Sequence, residues 1–284
     1  MSSKSTPESV KSTRPATSTS NTVSLAIDLT GKRALVTGAS DGIGMGVARM
    51  LARAGCDVAG TGTVAEDHPR AMDFLSCVTR ENRRVFYLQG DLSNPGVPTG
   101  LVDRAIAALG GLDIVISNAG RNAFKKVEET TETDWENCMN LNLAAHWRVA
   151  KAATPALREA KPGVVIIMTS NHAYSTIPGC FPYNIAKAGL LGMVQALAIE
   201  WGPAIRVVGL APGFIDTGGN QQWFDSFPNP AAERARTETM HPAGRIGTVD
   251  EVGTFCAYLC SPAAGFITGN TLLMDGGRSA LMQD

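Results

Sequence analysis

The 284-residue sequence predicts an α/β fold, a doubly wound parallel sheet of about seven strands with helices on both faces. Three observations predict it. Short, nearly continuous Val/Ile/Leu runs alternate with stretches of helical spacing, as strands buried on both faces do. A glycine-rich turn joins the first such run to the first helix. No internal linker breaks the alternation, so one unit over residues 25–284 is expected, behind a Ser/Thr-rich tail over 1–24.

The elements follow in order. "RALVTG" is a buried strand ending in a turn, and "IGMGVARMLARAG" is a helix stopped at Gly55. "CDVAGTG" is the second strand, followed by a helix from about His68 to Glu81. "RVFYLQGD" and "GLVDRAIAALG" form the next strand and helix. "LDIVISNAG" is the fourth strand, leading into one long helix from about Glu132 to Glu159. "GVVIIMTS" is the fifth, and a helix carrying Tyr183 and Lys187 follows it. "AIRVVGLAPG" is the sixth strand, and residues 214–240 read as a long irregular loop. "VDEVGTFCAYLCS" is a helix and "NTLLMDGG" the last strand.

Composition narrows the function classes. The chain is 44% hydrophobic and 18% charged with a formal net charge of −1, so no electrostatic case exists for nucleic acid or an anionic membrane. Its apolar runs are short, against the roughly 20 residues a membrane-spanning helix needs. The six cysteines are scattered without a C-x-x-C pair, which fits reduced thiols and a cytoplasmic protein, and no metal site is expected. The tail over 1–24 has almost nothing to bury and is expected to be disordered. It lacks the apolar stretch of a secretory signal, and its single arginine, Arg14, speaks against an organelle transit peptide.

The glycine turn, "TGASDGIG" from Thr37 to Gly44, lies between the first strand and the first helix of a βαβ unit. In that context Gly38, Gly42 and Gly44 let backbone N–H groups approach a pyrophosphate at the positive end of the helix, with Ser40, Asp41 and Ile43 completing the loop. The fold is then of the Rossmann type. The end of the second strand selects the dinucleotide, and there Gly62 and Thr63 stand where an acidic residue would bind the ribose of NAD. No Arg or Lys is near in sequence to receive a 2′-phosphate, and Asp41 would repel one, so the cofactor is NAD or NADP with NAD favoured. Asp91, with Leu92 after the third strand, is placed either to bond the adenine amino group or to cap a helix.

Tyr183 and Lys187 are one helical turn apart. A phenol with its ordinary pKa near 10 is a poor base at neutral pH. A cation at about 4–6 Å can lower that pKa by about one to three units. Tyr183 would then exchange a proton with an alcohol or carbonyl. Ser170 ends the fifth strand, where ligands of parallel sheets gather, and could hold the substrate oxygen. Asn142 falls on the preceding helix, where a buried amide could join a proton relay.

Over nearly all of residues 25–284 the sequence resembles the short-chain dehydrogenase/reductase family. "TGASDGIG" resembles its cofactor motif, "SNAG" its N-A-G segment (Asn118, Ala119, Gly120), and "YNIAK" its Y-x-x-x-K centre. "APGFIDT" resembles the P-G segment near the nicotinamide (Pro212, Gly213, Ile215, Thr217), and the C-terminal block matches as well. The resemblance implies hydride transfer with a nicotinamide cofactor in a homotetramer or homodimer. It implies that Tyr183 is the general acid/base and that Lys187 lowers its pKa and holds the nicotinamide ribose. It implies that Ser170 orients the carbonyl, that Asn142 shapes the relay and that Thr217 bonds the carboxamide. Ser117 departs from the asparagine usual at that place, which bears on strand support.

The substrate is expected to be a small molecule. Gln221 and Trp223, in the loop beside the site, and His172, just after Ser170, suit a polyhydroxylated substrate. "SNHAYSTIPGCFPY" and the W-x-x-x-x-P-x-P pattern of the loop resemble the family's sugar dehydrogenases, and "GCDVAGTG" and "MNLNL" its 2-deoxy-gluconate branch. A 3-oxoacyl carrier-protein reductase is the alternative, with Arg121, Lys125 and Lys126 as a basic mouth for an acidic carrier. A dinucleotide-sensing protein without catalysis is the second alternative. Such proteins typically lose the tyrosine or the lysine, and both are present here.

Overall fold

A computed structural model describes residues 26–281. The tail over 1–24 lies outside the described residues. The strands of the main sheet are β1 (Arg33–Thr37), β2 (Asp57–Gly62), β3 (Val85–Gln89), β4 (Ile114–Ser117), β5 (Gly163–Met168), β6 (Ile205–Pro212) and β7 (Thr271–Met274). All pair in parallel, in the order β3-β2-β1-β4-β5-β6-β7. The expected seven-stranded, Rossmann-type sheet is therefore present.

Alternate residues of each strand enter separate cores. Ala34, Val36, Ile114, Ile116, Val164 and Ile166 face one layer, and Leu35, Val115, Val165 and Ile167 face the other. The first layer is covered by α1 (Gly42–Arg53), α2 (Pro69–Thr79) and α9 (Val249–Cys260). The second is covered by α3 (Val97–Leu109), α5 (Ala145–Ala160) and α6 (Tyr183–Trp201). Burial on both faces is why the strands read as unbroken apolar runs. The strand order reverses between β1 and β4, and the C-terminal ends of these strands open on a crevice.

Two expectations are corrected. The long helix after β4 is not one α-helix. α4 (Glu132–Met139) passes into a π-helical turn, Asn140–Ala144, before α5 begins. A π turn fits one extra residue into the ladder, and sequence periodicity over so short a stretch does not show it. Residues 214–240 are not irregular either. Ile215–Asp216 pairs with Gly247–Thr248, and α7 (Gly218–Asp225) and α8 (Pro230–Thr239) follow. Each helix is ten residues or fewer and begins at a polar cap, Thr217 or Asn229, so neither leaves a long apolar period in the sequence.

Candidate active site

The site is built at the C-terminal ends of the central strands. Thr37 closes β1, and its Oγ1 accepts the N–H groups of Asn118 and Ala119, each at 2.9 Å. Asn118 Nδ2 donates back to the Thr37 carbonyl at 2.9 Å. These bonds tie the "SNAG" segment to the glycine turn.

The turn itself is tight. Gly38 has φ +66°, a conformation side chains rarely adopt. A Cβ on Gly44 would lie 2.0 Å from the Gly38 carbonyl oxygen. Asp41 caps α1 by accepting the Gly42 N–H at 2.6 Å. Thr217, the cap of α7, faces Gly42, since a Cβ there would sit 3.4 Å from Thr217 Cγ2. Backbone N–H groups at a helix start, packed too closely for side chains, fit the pyrophosphate of a dinucleotide.

At the end of β2, the absence of a side chain at position 62 has a steric reason. A Cβ on Gly62 would meet the Tyr87 hydroxyl at 2.4 Å and Ser40 Oγ at 2.6 Å. Thr63 follows, exposed. A cation stands closer than the sequence indicates. Arg70, from the first turn of α2, brings Nη1 to 3.8 Å from Asp41 Oδ2. Asp91 accepts the N–H and hydroxyl of Ser93 at 2.9 and 2.7 Å in a local turn, with Leu92 buried beneath, and the cap of α3 is Gly96 instead.

The four expected reactive residues converge. Tyr183 and Lys187 stand one turn apart at the start of α6, with Lys187 Nζ 5.6 Å from the phenol ring centre. Lys187 is 3% exposed, and its Nζ donates to the Met168 carbonyl at 3.0 Å, at the end of β5. Ser170 lies two residues further on, with its hydroxyl close enough to the Tyr183 phenol to act on its titration. Asn142 sits in the π turn, where its Oδ1 accepts the Arg121 N–H at 3.0 Å. A Cβ on Gly120 would lie 2.9 Å from Asn142 Oδ1 and 3.5 Å from Lys187 Nζ, so the "SNAG" loop presses against both. Pro212 ends β6, and Gly213 and Ile215 carry the chain from there to Thr217.

The electrostatics differ from expectation. Lys187 does not make Tyr183 acidic in this structure. Burial pushes the phenol up to about 12, opposed in part by the Ser170 hydroxyl. Burial also brings the Lys187 ammonium down to about 8. Removing both groups from water disfavours phenolate and ammonium alike, and this outweighs their attraction. A phenol working near neutral pH therefore needs further positive charge beside it.

Sequence reasoning missed His146. It lies one turn beyond Asn142 on α5, fully buried, with Nδ1 2.8 Å from Ser117 Oγ. Burial, with the Lys187 charge nearby, holds it well below the ordinary histidine range, so the ring is neutral. Ser117 thus bonds a helix side chain across the layer. Only the four-residue spacing from Asn142 hints at this contact.

The substrate residues divide. His172 packs against Tyr183, with ring centres 6.0 Å apart, and lines a cavity beginning at Asn171. Gln221 bonds Asp225 and Arg234, and Trp223 packs among Phe214, Phe224 and Phe227. Neither lines that cavity. Of the basic mouth, Lys125 is paired with Asp134 at 2.6 Å and Lys126 with Glu129 at 3.6 Å.

The chain is similar to known proteins over most of its length. The sequence profile described as enoyl-(acyl carrier protein) reductase matches residues 38–279. The chain is 34% identical over 252 residues to the Homo sapiens dehydrogenase/reductase SDR family member 4, covering 88% of each. It is 33% identical to the 2-dehydro-3-deoxy-D-gluconate 5-dehydrogenase of Escherichia coli (strain K12), over 89% of this chain and 97% of that one. It is 32% identical to the 3-oxoacyl-(acyl-carrier-protein) reductase FabG of Chlamydia muridarum, over 88% of this chain and 98% of that one. A solved structure described as a short-chain alcohol dehydrogenase from Sinorhizobium meliloti 1021 superposes with TM-score 0.83 at 33% identity, over 90% of this chain and 100% of that one. Fold and relatives define an NAD(P)-dependent oxidoreductase. The chain belongs to the short-chain dehydrogenase/reductase family.

Proposed function

We propose that this oxidoreductase interconverts a secondary alcohol and its carbonyl in a sugar or polyol-like substrate, with NAD as the dinucleotide. The convergence of Tyr183, Lys187, Ser170 and Asn142 beneath the "SNAG" loop carries the reading. A nicotinamide dinucleotide held by the glycine turn supplies the hydride acceptor for oxidation and the donor for reduction.

In oxidation, Tyr183 takes the proton of the substrate hydroxyl, and in reduction it returns a proton to the carbonyl oxygen. Ser170 Oγ bonds that oxygen and fixes its position. Lys187, anchored to the Met168 carbonyl, would hold the ribose of a bound dinucleotide and keeps positive charge near the phenol. Asn142 fixes the backbone at Arg121 and stands at the head of the proton path. Since burial alone takes the phenol to about 12, Tyr183 requires further positive charge beside it to act as phenolate, which a bound oxidised nicotinamide would supply.

NAD is favoured because the Arg70 charge that could greet a 2′-phosphate is offset by Asp41. A hydroxylated substrate is supported by the polar wall beside Ser170, with Asn171, His172, Ser175 and Thr176. The pairing of Lys125 and Lys126 argues against an acidic carrier protein. We place the protein in the cytoplasm, in keeping with six free cysteines and with no described helix long and apolar enough to cross a membrane. Assembly into two or four copies is favoured by the apolar groove formed by Phe255, Tyr258, Leu273 and Met274.

The test is a spectrophotometric screen of sugars, polyols and acyl thioesters with NAD and NADP in parallel. Tyr183→Phe should keep dinucleotide binding and lower turnover by about 10²- to 10⁴-fold. A variant as fast as the wild type would end the acid/base assignment. Dinucleotide binding without turnover of any substrate would favour a sensing protein.

A further inference from the structure

Two polar side chains meet inside the layer between β4 and α5. Ser117, the last residue of β4, and His146, in the first turn of α5, are both fully buried. His146 Nδ1 lies 2.8 Å from Ser117 Oγ, and its Nε2 has no hydrogen-bond partner among the described residues. Neither residue lines the cavity beside Ser170. Such a pair is unfavourable to keep in a core. Its polar atoms lose water, one is left unpaired, and an apolar pair of the same shape would pack as well. A hydrogen bond adds what apolar contact does not, a fixed distance and direction between the elements that carry it.

Those two elements lead straight to the site. From Ser117 the chain enters the "SNAG" loop, where Asn118 and Ala119 are tied to Thr37 Oγ1. Gly120 then presses between Asn142 and Lys187. On the other side, α5 is preceded by the π turn that carries Asn142. This turn has an anchor beyond each end. Before it, Cys138 Sγ accepts from Asn142 Nδ2 at 3.5 Å. After it stands His146 on Ser117. A π turn interrupts the regular helical ladder, so contacts with its surroundings decide where its side chains point. Here they bring Asn142 Oδ1 to 3.0 Å from the Arg121 nitrogen, at the end of the "SNAG" loop. The His146 ring is neutral, held so by burial and the nearby Lys187 charge, and fixes position without adding charge.

We propose that His146, acting through Ser117, is a positioning residue: their bond holds the π turn against the "SNAG" loop and keeps Asn142 on the Arg121 N–H, beside Lys187. The consequence for turnover rests on the oxidoreductase reading given above, though the geometry does not.

Two variants separate positioning from packing. Ser117→Ala removes a single oxygen, and Ser117→Ala/His146→Phe replaces the whole pair by apolar groups of similar shape. The single variant leaves His146 Nδ1 unpaired and should melt lower, and the double variant should melt near the wild type. Hydrogen exchange of the full chain, resolved to single amides by mass spectrometry, reads the geometry. In both variants the Arg121 amide should exchange about 10-fold faster, while the Asn118 and Ala119 amides, bonded to Thr37, keep their rates. Binding of NADH, followed by fluorescence, should be unchanged. Turnover of D-glucitol, D-gluconate and isopropanol with NAD and NADP should fall about 10- to 100-fold in kcat with little change in KM.

An Arg121 amide exchanging at the wild-type rate in both variants, or turnover recovered together with melting temperature in the double variant, would overturn the proposal while leaving the oxidoreductase reading intact. No dinucleotide-linked turnover of any sugar, polyol or alcohol by the wild type would count against that reading. The Arg121 exchange rate would then decide the positioning by itself.

Discussion

At the scale of single residues, Tyr183 and Lys187 show how burial competes with charge. The folded chain releases the Lys187 proton at about 8 instead of 10.5 and keeps the Tyr183 proton to about 12 instead of 10.0. Between about 8 and 10.5 the unfolded chain binds the lysine proton that the folded chain has lost, so this group adds stability as pH rises. The wild type should therefore gain in melting temperature relative to Lys187→Met across that window. For the tyrosine the folded chain holds the extra proton, so stability is lost above about 10, and the wild type should fall relative to Tyr183→Phe there. Parallel melting curves across both windows measure the slopes, and a slope of the opposite sign would refute the assigned burial. At the other end of the crevice, Asp41 offsets Arg70. Asp41→Ala should raise the NADP-to-NAD ratio of kcat/KM, since a 2′-phosphate would then meet an unopposed guanidinium. The pairing of Asp41 with Arg70, far apart along the chain, is invisible in sequence, because it depends on where α2 starts relative to the glycine turn.

At the scale of elements, the glycine turn and the π turn do the positioning. Gly44→Ala places a methyl against the Gly38 carbonyl, a backbone group with no side chain to turn aside. It should cost about 1–3 kcal/mol in denaturant unfolding and weaken dinucleotide binding measured by fluorescence. The π turn over Asn140–Ala144 aims Asn142 at the Arg121 N–H. Deleting Leu141 would restore an α-helical ladder and rotate the following side chains by about a quarter turn. The expected product keeps its far-ultraviolet circular dichroism and loses most of its turnover. Sequence spacing correctly placed Asn142 on a helix but not on the irregular turn that orients it. In 214–240 the reverse occurred, and two short capped helices read as a loop. Trp223, expected at the substrate, packs into an aromatic group with Phe214, Phe224 and Phe227. An aromatic side chain looks the same in sequence whether it faces a ligand or its neighbours.

At the scale of the whole molecule, one sheet separates two apolar layers, and each strand serves both. Phe74 fills the first layer against Tyr87 and is fully buried. Phe74→Ala should lower unfolding stability by about 3–5 kcal/mol in a denaturant titration, and a loss below about 1 kcal/mol would show that this layer closes up. The strand–helix alternation, the glycine turn and the placing of Tyr183, Lys187, Ser170 and Asn142 on their elements were legible in the amino-acid pattern. Those features are local, set by apolar period, by backbone sterics and by spacing along one strand or helix. The joining of Arg70 to Asp41, of His146 to Ser117, and of Arg278, Thr237 and His241 around one cavity came from the packing of the folded chain. These partners are far apart along the chain or on separate elements. Packing of the elements, which no local pattern encodes, brings them together and sets how far burial moves each ionisable group.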